Sequence, residues 1–551
     1  MNRWSALVVL LAIAGALVLR APRLATRPLH NDEAVNAVKV SELWQRGHYV
    51  YDPDEYHGPT LHYATLPFLW LSGARNVDDL NDATLRLAPV AFGVGLILLL
   101  LLFVDGLGRP ALGWTAIFIA ISPAMVFYSR YFIHEMLLVF FTALTLGAGW
   151  RYVQTRVARW AVVSGAGVGL MFATKETFVI TLGAMGLAGI GTAWWTKREI
   201  RSPKPEIRID NTVEETRCAT APEPDRSDLG LRISDFGFQI KHLLAPWNWK
   251  HAALAFSAAF LIWLLLFSSF FTNFAGLSDS VRAYLPWLER AGGHSPHIHP
   301  WSFYLQRLAW FHPAKSPVWS EGLILVLAAV GAVVSLAGKK SPLHRFLALY
   351  TVILTAAYCA IPYKTPWCLL SFFHGMILLA GVGAAALVEF FRARALKVVI
   401  VAALVALTLQ LTWQAWRASF VYPTDRRNPY VYAQTVPDIL NLVQRTEGLA
   451  RVAPAGHETV VKITAPENDY WPLPWYLRRF KHVGWYEKLP DDPFAPVVVV
   501  SPRLDARLDE KSEKKWIMVG LFEMRPGVFF ELYVELELWK KYVETLPRDR
   551  D

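Results

Sequence analysis

Apolar residues gather along this chain in long blocks rather than in the one-sided stripes of a half-buried helix. The blocks cover 4–19, 85–104, 112–127, 132–150, 161–173, 178–195, 252–271, 322–337, 346–361, 369–391 and 398–413. A helix that crosses a bilayer needs roughly 20 mainly apolar residues, so the pattern predicts about eleven spanning helices, several of them short or abutting. From about residue 419 the pattern changes. 'TVVKITA' and 'PVVVVSP' are β-branched runs of strand length, and 'VPDILNLVQRTEGLA' spaces its apolar residues as a helix does. The fold expected is mainly α: a polytopic helical membrane region, 1–418, followed by a small α/β domain, 419–551. Within the first part, 20–84 and 272–318 read as long loops on one side. The segment 196–250, rich in Pro, Glu, Arg and Ser, reads as a largely disordered insert on the other.

Composition agrees with lipid as the solvent. Of 551 residues, 54% are hydrophobic and 18% charged, where a soluble protein carries about a quarter charged residues. The net charge of +10 is not a nucleic-acid footprint, because the basic residues sit in connectors between apolar blocks. With the amino terminus inside, alternate connectors hold Arg109, then Arg151, Arg156 and Arg159, then the basic stretch 197–250, then Lys339, Lys340 and Arg345, then Arg392, Arg394 and Lys397. The short turns between them hold one basic residue each, Arg130, Lys175 and Lys364. Such asymmetry predicts a multi-pass protein of the cell membrane with its carboxy-terminal domain extracytoplasmic. Arg3 and the apolar run behind it could open a signal peptide, but the many later blocks favour an uncleaved first span. Cys218, Cys359 and Cys368 show no metal or disulfide spacing.

This orientation collects the ionisable residues at membrane boundaries on one face. The first outer loop carries Asp32 and Glu33 in 'HNDEAVNAVKV' and His57 in 'YHGPTLHYA'. Later turns add Arg130, His134 and Glu135 in 'YSRYFIHEM', Lys175 and Glu176 in 'ATKETF', and Tyr363 and Lys364 in 'IPYKTPW'. Charges beside lipid are costly, so they face a cavity or a partner. Each also has a bland reading: Asp32 and Glu33 suit the start of a helix, Arg130 and Glu135 suit an ion pair, and lysines snorkel to headgroups. Taken together, acids and bases in an outward cavity walled by apolar helices suit a substrate that is half lipid and half sugar phosphate. Sugar transfer from a polyprenyl-phosphate donor needs a carboxylate to take the acceptor proton and cations to hold the departing phosphate. Asp32 is the expected base, Glu33 or Glu135 would orient it, and Arg130, Lys175 and Lys364 would face the phosphate. His57, His134, Glu176 and Tyr363 complete the expected substrate site. Asp32, Glu33, His57 and Glu135 could ligate a divalent cation, but no spacing demands one.

The same residues resemble a family. An acidic pair in the first outer loop, 'HGPTLHYA' leading to 'LRLAPVAFGVG', and 'SPAMVFYSRYFIHEMLLVFF' look like the protein O-mannosyltransferase and aminoarabinose transferase superfamily of GT-C type. The resemblance covers about the first two hundred residues. It implies a glycosyltransferase whose first-loop acid, here Asp32, is the catalytic base. 'IPYKTPWCLLSFFHG', 'RRNPYVYAQTVPDI' and 'NDYWPLPWYLRRF' are similar to the flippase-activity-associated, dolichyl-phosphate-mannose-protein mannosyltransferase-like branch. Glu135 behind His134 departs from the Asp that relatives often carry. The Trp-Trp-Asp signature of oligosaccharyltransferases is absent, as is the large soluble insert of eukaryotic O-mannosyltransferases.

The function expected is therefore an inverting, hexosyl- or mannosyl-type transfer to a lipid, glycan or protein acceptor. A transporter or flippase-associated protein that binds the same lipid without chemistry is the alternative, and a scaffold using its outer domain is a third. In that domain Trp471, Trp475, Tyr476 and Trp485 beside Arg478, Arg479 and Lys481 suit core or interface packing, with sugar stacking as the second reading.

Overall fold

The computed structural model describes residues 3–54, 57–201, 248–292, 297–337 and 341–547. Most of the insert expected at 196–250 lies outside the described residues.

Every apolar block of the sequence forms a helix. Among the described residues, eight helices are long and apolar enough to cross a membrane. They include α1 (Arg3–Arg20), α4 (Asp82–Leu107), α7 (Glu135–Thr155), α9 (Phe178–Arg201), α10 (Trp249–Phe267), α12 (Pro342–Ala360) and α13 (Leu370–Phe390). The eighth is α14 (Arg394–Trp416), which runs on through a π-helical turn, Arg417–Val421. Three shorter apolar helices accompany them, α5 (Arg109–Ile121), α8 (Ala158–Phe172) and α11 (Gly322–Ala337). The protein is a mainly helical, multi-pass membrane protein.

Burial sorts the helices by neighbour. The span ending in α13 is 83% buried, whereas α10 is 6% buried and presents Phe256, Phe260 and Leu261 outward. A helix apolar all round and packed on few neighbours is matched to lipid. The central helix α13 packs against α11, α5 and α12. Its seam with α11 depends on small residues, because a Cβ at Gly331 would stand 2.0 Å from the Leu379 carbonyl oxygen. Such close backbone approach is how helices associate without a hydrophobic driving force.

Between α1 and α4 the chain forms α2 (Asn31–Arg46) and α3 (Thr60–Leu71). A one-and-a-half-turn helix, α6 (Pro123–Tyr128), follows α5. The C-terminal region builds a five-stranded sheet in the order β2-β1-β3-β5-β4. The strands are β1 (Val461–Thr464), β2 (Val483–Tyr486), β3 (Val497–Val500), β4 (Trp516–Arg525) and β5 (Val528–Glu535). β1 runs parallel to β2 and β3, with Val461 opposite Val483 and Val497. β5 is antiparallel to β3 and β4. All four valines of β3 are buried, as the unbroken apolar run of an internal strand requires. The helix α15 (Asp438–Val452) packs its apolar stripe of Ile439, Leu442 and Leu449 into the same core.

This region is tied to the helical part by the aromatic segment singled out in the sequence. Trp475 is buried and its indole N–H donates to Asp82 at 2.8 Å. The Tyr476 hydroxyl donates to Asp82 at 2.9 Å and accepts from the Leu29 N–H at 2.8 Å. Arg478 covers the Trp475 ring at 3.8 Å and donates to Leu80 O. Packing is therefore what Trp475 and Tyr476 do.

Candidate active site

A single buried acid organises the loop that opens the site. Glu33 is fully buried and accepts from Arg86 at 2.7 and 2.8 Å, from Arg27 at 3.3 Å, and from the backbone N–H groups of His30 and Phe132 at 2.9 Å each. Burial alone pushes a carboxyl pKa up. Here Arg86 and Arg27 more than offset it and hold Glu33 at about 2. Arg86 also donates to the carbonyls of Leu24, Arg27 and Pro28, so the loop into α2 is fixed from below.

The start of α2 is a capping box. The His30 ring nitrogen Nδ1 accepts from the Asp32 N–H at 3.1 Å while Glu33 accepts from the His30 N–H. His30 is buried, which lowers its pKa, and it meets the Trp367 ring edge-on at 5.4 Å. Asp32 sits two residues further and its side chain is 49% exposed, with His30 Nδ1 at 3.7 Å. Two neighbouring acids thus stand in opposite surroundings.

Asp32 opens on a cavity of about 430 Å³. One face of α2 supplies Asp32, Val35, Asn36 and Lys39, which are a helical turn apart. Lys175, Thr177, Tyr363, Thr365, Trp367 and Cys368 also line it, as do His57, His62 and Tyr49. Two chain segments meet there in strand-like fashion: Gly58 N–H donates to Thr174 O and Thr60 N–H to Ala173 O, each at 3.1 Å. Only glycine fits at 58, because a Cβ would lie 2.1 Å from Ala173 O.

Lys175 is buried and ion-paired with Glu135, the first residue of α7. Burial lowers a lysine pKa, but Glu135 outweighs it and Lys175 ends up raised, a cation fixed beside the cavity. His57 Nδ1 lies 3.0 Å from Glu176 Oε2. His134 Nε2 donates to Gly58 O at 3.0 Å. His62 is 1% exposed, stacks on Tyr49 at 4.8 Å, and neither ring nitrogen has a hydrogen-bond partner. Burial, then Lys39 and His57, push its pKa down to about 3, so His62 is neutral at physiological pH.

Of the residues expected from sequence, Asp32, His57, Lys175 and Tyr363 line this cavity. Glu135, His134 and Glu176 stand directly behind its wall as partners of Lys175, Gly58 and His57. Glu33 faces its arginines instead. Arg130 is spent on main-chain carbonyls, donating to Arg20 O and Pro22 O at 2.7 Å. Lys364 is buried and donates to His299 O at 3.2 Å and to Ile361 O. The four possible metal ligands, Asp32, Glu33, His57 and Glu135, do not converge. Among the described residues no group of three His, Cys, Asp or Glu is arranged to hold a metal ion. Sequence reading missed Asn36, Lys39 and Trp367 in the lining. The i, i+4, i+7 spacing of Asp32, Asn36 and Lys39 carries the signal for the first two.

The whole architecture has solved counterparts. ArnT from Cupriavidus metallidurans bound to undecaprenyl phosphate superposes with a TM-score of 0.57 at 14% identity, covering 97% of this chain and 98% of that one. The chain has the GT-C fold. The Archaeoglobus fulgidus oligosaccharyltransferase tethered to an acceptor peptide shares this GT-C architecture, with a TM-score of 0.51 at 14% identity over 88% of this chain and 64% of that one. Residues 68–209 match the model of the dolichyl-phosphate-mannose-protein mannosyltransferase family. No curated protein sequence matches the chain. Within the GT-C fold the matched segment runs from α3 to just beyond α9, and it contains Arg86, Glu135 and Lys175.

Proposed function

We propose that the protein is an inverting membrane glycosyltransferase that takes its sugar from a polyprenyl-phosphate donor on the extracytoplasmic side. The observation that carries this reading is that Asp32 and Lys175 line one cavity. The acceptor oxygen or nitrogen attacks the anomeric carbon and forms the new glycosidic bond. The bond from that carbon to the phosphate oxygen breaks, and its electron pair leaves with the polyprenyl phosphate. Asp32 takes the acceptor proton. Lys175 offsets the charge that gathers on the departing phosphate, with its ammonium held in place by Glu135. Neutral His62 offers one donor and one acceptor, which matches a sugar hydroxyl better than a phosphate.

The domain division at 418/419 and the outward position of the C-terminal domain belong to the same proposal, supported by the basic inner connectors. The narrower branch, flippase-activity-associated and mannosyltransferase-like, is supported by 'IPYKTPW', whose Tyr363, Thr365 and Trp367 line the cavity. The acceptor class, lipid, glycan or protein, follows from that proposal as the next question for assay.

The test is to incubate the purified full chain in lipid with labelled polyprenyl-phosphate sugars and a membrane extract of acceptors. Transfer with release of polyprenyl phosphate is the expected result. Movement of intact donor across vesicles with no covalent product would replace this reading with the transporter.

A further inference from the structure

The far side of Glu33 carries more positive charge than its acids balance. Arg20, Arg27, Arg86 and Arg130 are all buried, at 0, 6, 1 and 6% exposure. Among the described residues Glu33 is the one carboxylate in an ion pair with any of them. Asp82, at the start of α4, is taken up by Trp475 and Tyr476. Carbonyl oxygens carry part of the burden: Arg20 donates to Ile119 O and Ala120 O, and Arg130 to Arg20 O and Pro22 O. Partial charges on carbonyls do not cancel whole charges on four guanidinium groups.

A small hollow opens in this cluster, lined by Arg23, Thr26, Arg27, Arg86, Arg130 and Ser419. Its volume of about 10 Å³ admits about one water-sized group. Two of the residues that line it carry a buried polar atom without a hydrogen-bond partner, Arg27 Nε and Ser419 Oγ. Leaving buried polar groups unmet is costly, so a ligand that meets both is favoured there. Burial, then repulsion from Arg27, Arg86 and Arg20, brings the Arg130 pKa down to about 9, as an unbalanced cluster of cations requires. Ser419 arrives on the π-helical turn after α14, and Arg23 lies just past the end of α1. The hollow therefore stands at a membrane boundary, and none of its lining residues lines the Asp32 cavity.

We infer that this hollow is a second anion site, which takes one oxygen of a phosphate group from a phospholipid headgroup or from free phosphate. Guanidinium donors and a hydroxyl suit that oxygen in charge and in hydrogen bonding. The site joins the α1–α2 loop to the end of α14, so occupancy stabilises the region that also holds Glu33. It does not rest on the glycosyltransferase reading.

The test uses the full chain purified in an uncharged detergent, with thermal unfolding followed at constant ionic strength. Inorganic phosphate is expected to raise Tm saturably, and chloride to do so far less. In the double variant Arg23→Gln with Ser419→Ala, which changes an exposed side chain and removes one hydroxyl, Tm without phosphate should match wild type. Its affinity for phosphate should fall about tenfold or more. Native mass spectrometry with phosphatidylglycerol then separates the sources. Retention of the lipid by wild type but not by the double variant identifies the headgroup, whereas a response to phosphate alone identifies the free anion. Equal stabilisation by chloride, which would mean an adventitious ion only, overturns the proposal. So does an unchanged phosphate response in the double variant.

Discussion

Asp32 and Glu33 are adjacent in sequence and chemically near-identical, yet they belong to two different regions of the molecule. Asp32 lies on the face of α2 that lines the large cavity, half exposed, and Lys175 lines the same cavity. Glu33 is fully buried in the arginine cluster, with its oxygens taken by two side chains and two backbone N–H groups. A helix turns by about 100° per residue, so neighbours on it face different worlds. In the proposed mechanism, one acid is free to do chemistry because the other holds the loop still.

The largest expected effect falls on Asp32. Asp32→Asn should lower sugar transfer about 10²–10⁴-fold, the usual contribution of a positioned base, while thermal unfolding stays at the wild-type temperature. Equal activity in the variant would break the comparison at its first term. Glu33→Gln should do the reverse, costing about 3–5 kcal/mol of stability because two buried arginines lose their counter-charge. Denaturation of the two variants side by side reads this directly.

Acid adds a finer test of the same residue. The folded pKa of Glu33 is about 2 against an ordinary 4.5. Its stabilising contribution is therefore complete above about pH 4.5 and is lost as pH falls toward 2, amounting to about 3 kcal/mol. Wild type should lose Tm across that window more steeply than Glu33→Gln. Parallel curves would show that the carboxylate is not the group that holds the loop.

Lys175→Gln should reduce transfer about 10²-fold or more, as removal of a fixed charge from a leaving group does. Arg130→Lys should leave the rate unchanged, since Arg130 binds carbonyls outside the cavity. A rate loss in Arg130→Lys equal to that in Lys175→Gln would restore the sequence expectation that both face the departing phosphate in the Asp32 cavity. The smallest effect is expected at the sheet region's anchor, where Trp475→Phe removes one hydrogen bond to Asp82 and costs about 1 kcal/mol.

The helical part was legible because a membrane span is a local signal: length and apolarity suffice, and each predicted block has its helix. β1, β3 and α15 were legible for the same reason. β4 and β5 escaped because their burial is mixed and Glu523 and Glu531 interrupt the apolar runs. At the site, charge at a membrane boundary drew attention to Asp32 and Lys175, and both line the cavity. Charge type did not reveal direction, because the partners of Glu33, Arg130 and Lys364 are arginines and backbone groups 3 to 110 positions away. Backbone acceptors leave no trace in sequence, so Arg130 and Lys364 read as ligands of the departing phosphate although the fold sets both outside the lining of the Asp32 cavity. Lys39 shows the converse. It pairs with Asp52 at 3.0 Å and lines the cavity, and helical spacing from Asp32 carried that information.

Carboxylate labelling of the folded protein, by a water-soluble carbodiimide and an amine with peptide mass spectrometry, compares the two acids in a single sample. Asp32 should react and be protected by saturating polyprenyl-phosphate sugar, while Glu33 stays unmodified with and without the lipid. Labelling of Glu33 at the rate of Asp32, or labelling of Asp32 that the lipid leaves unchanged, would contradict the account.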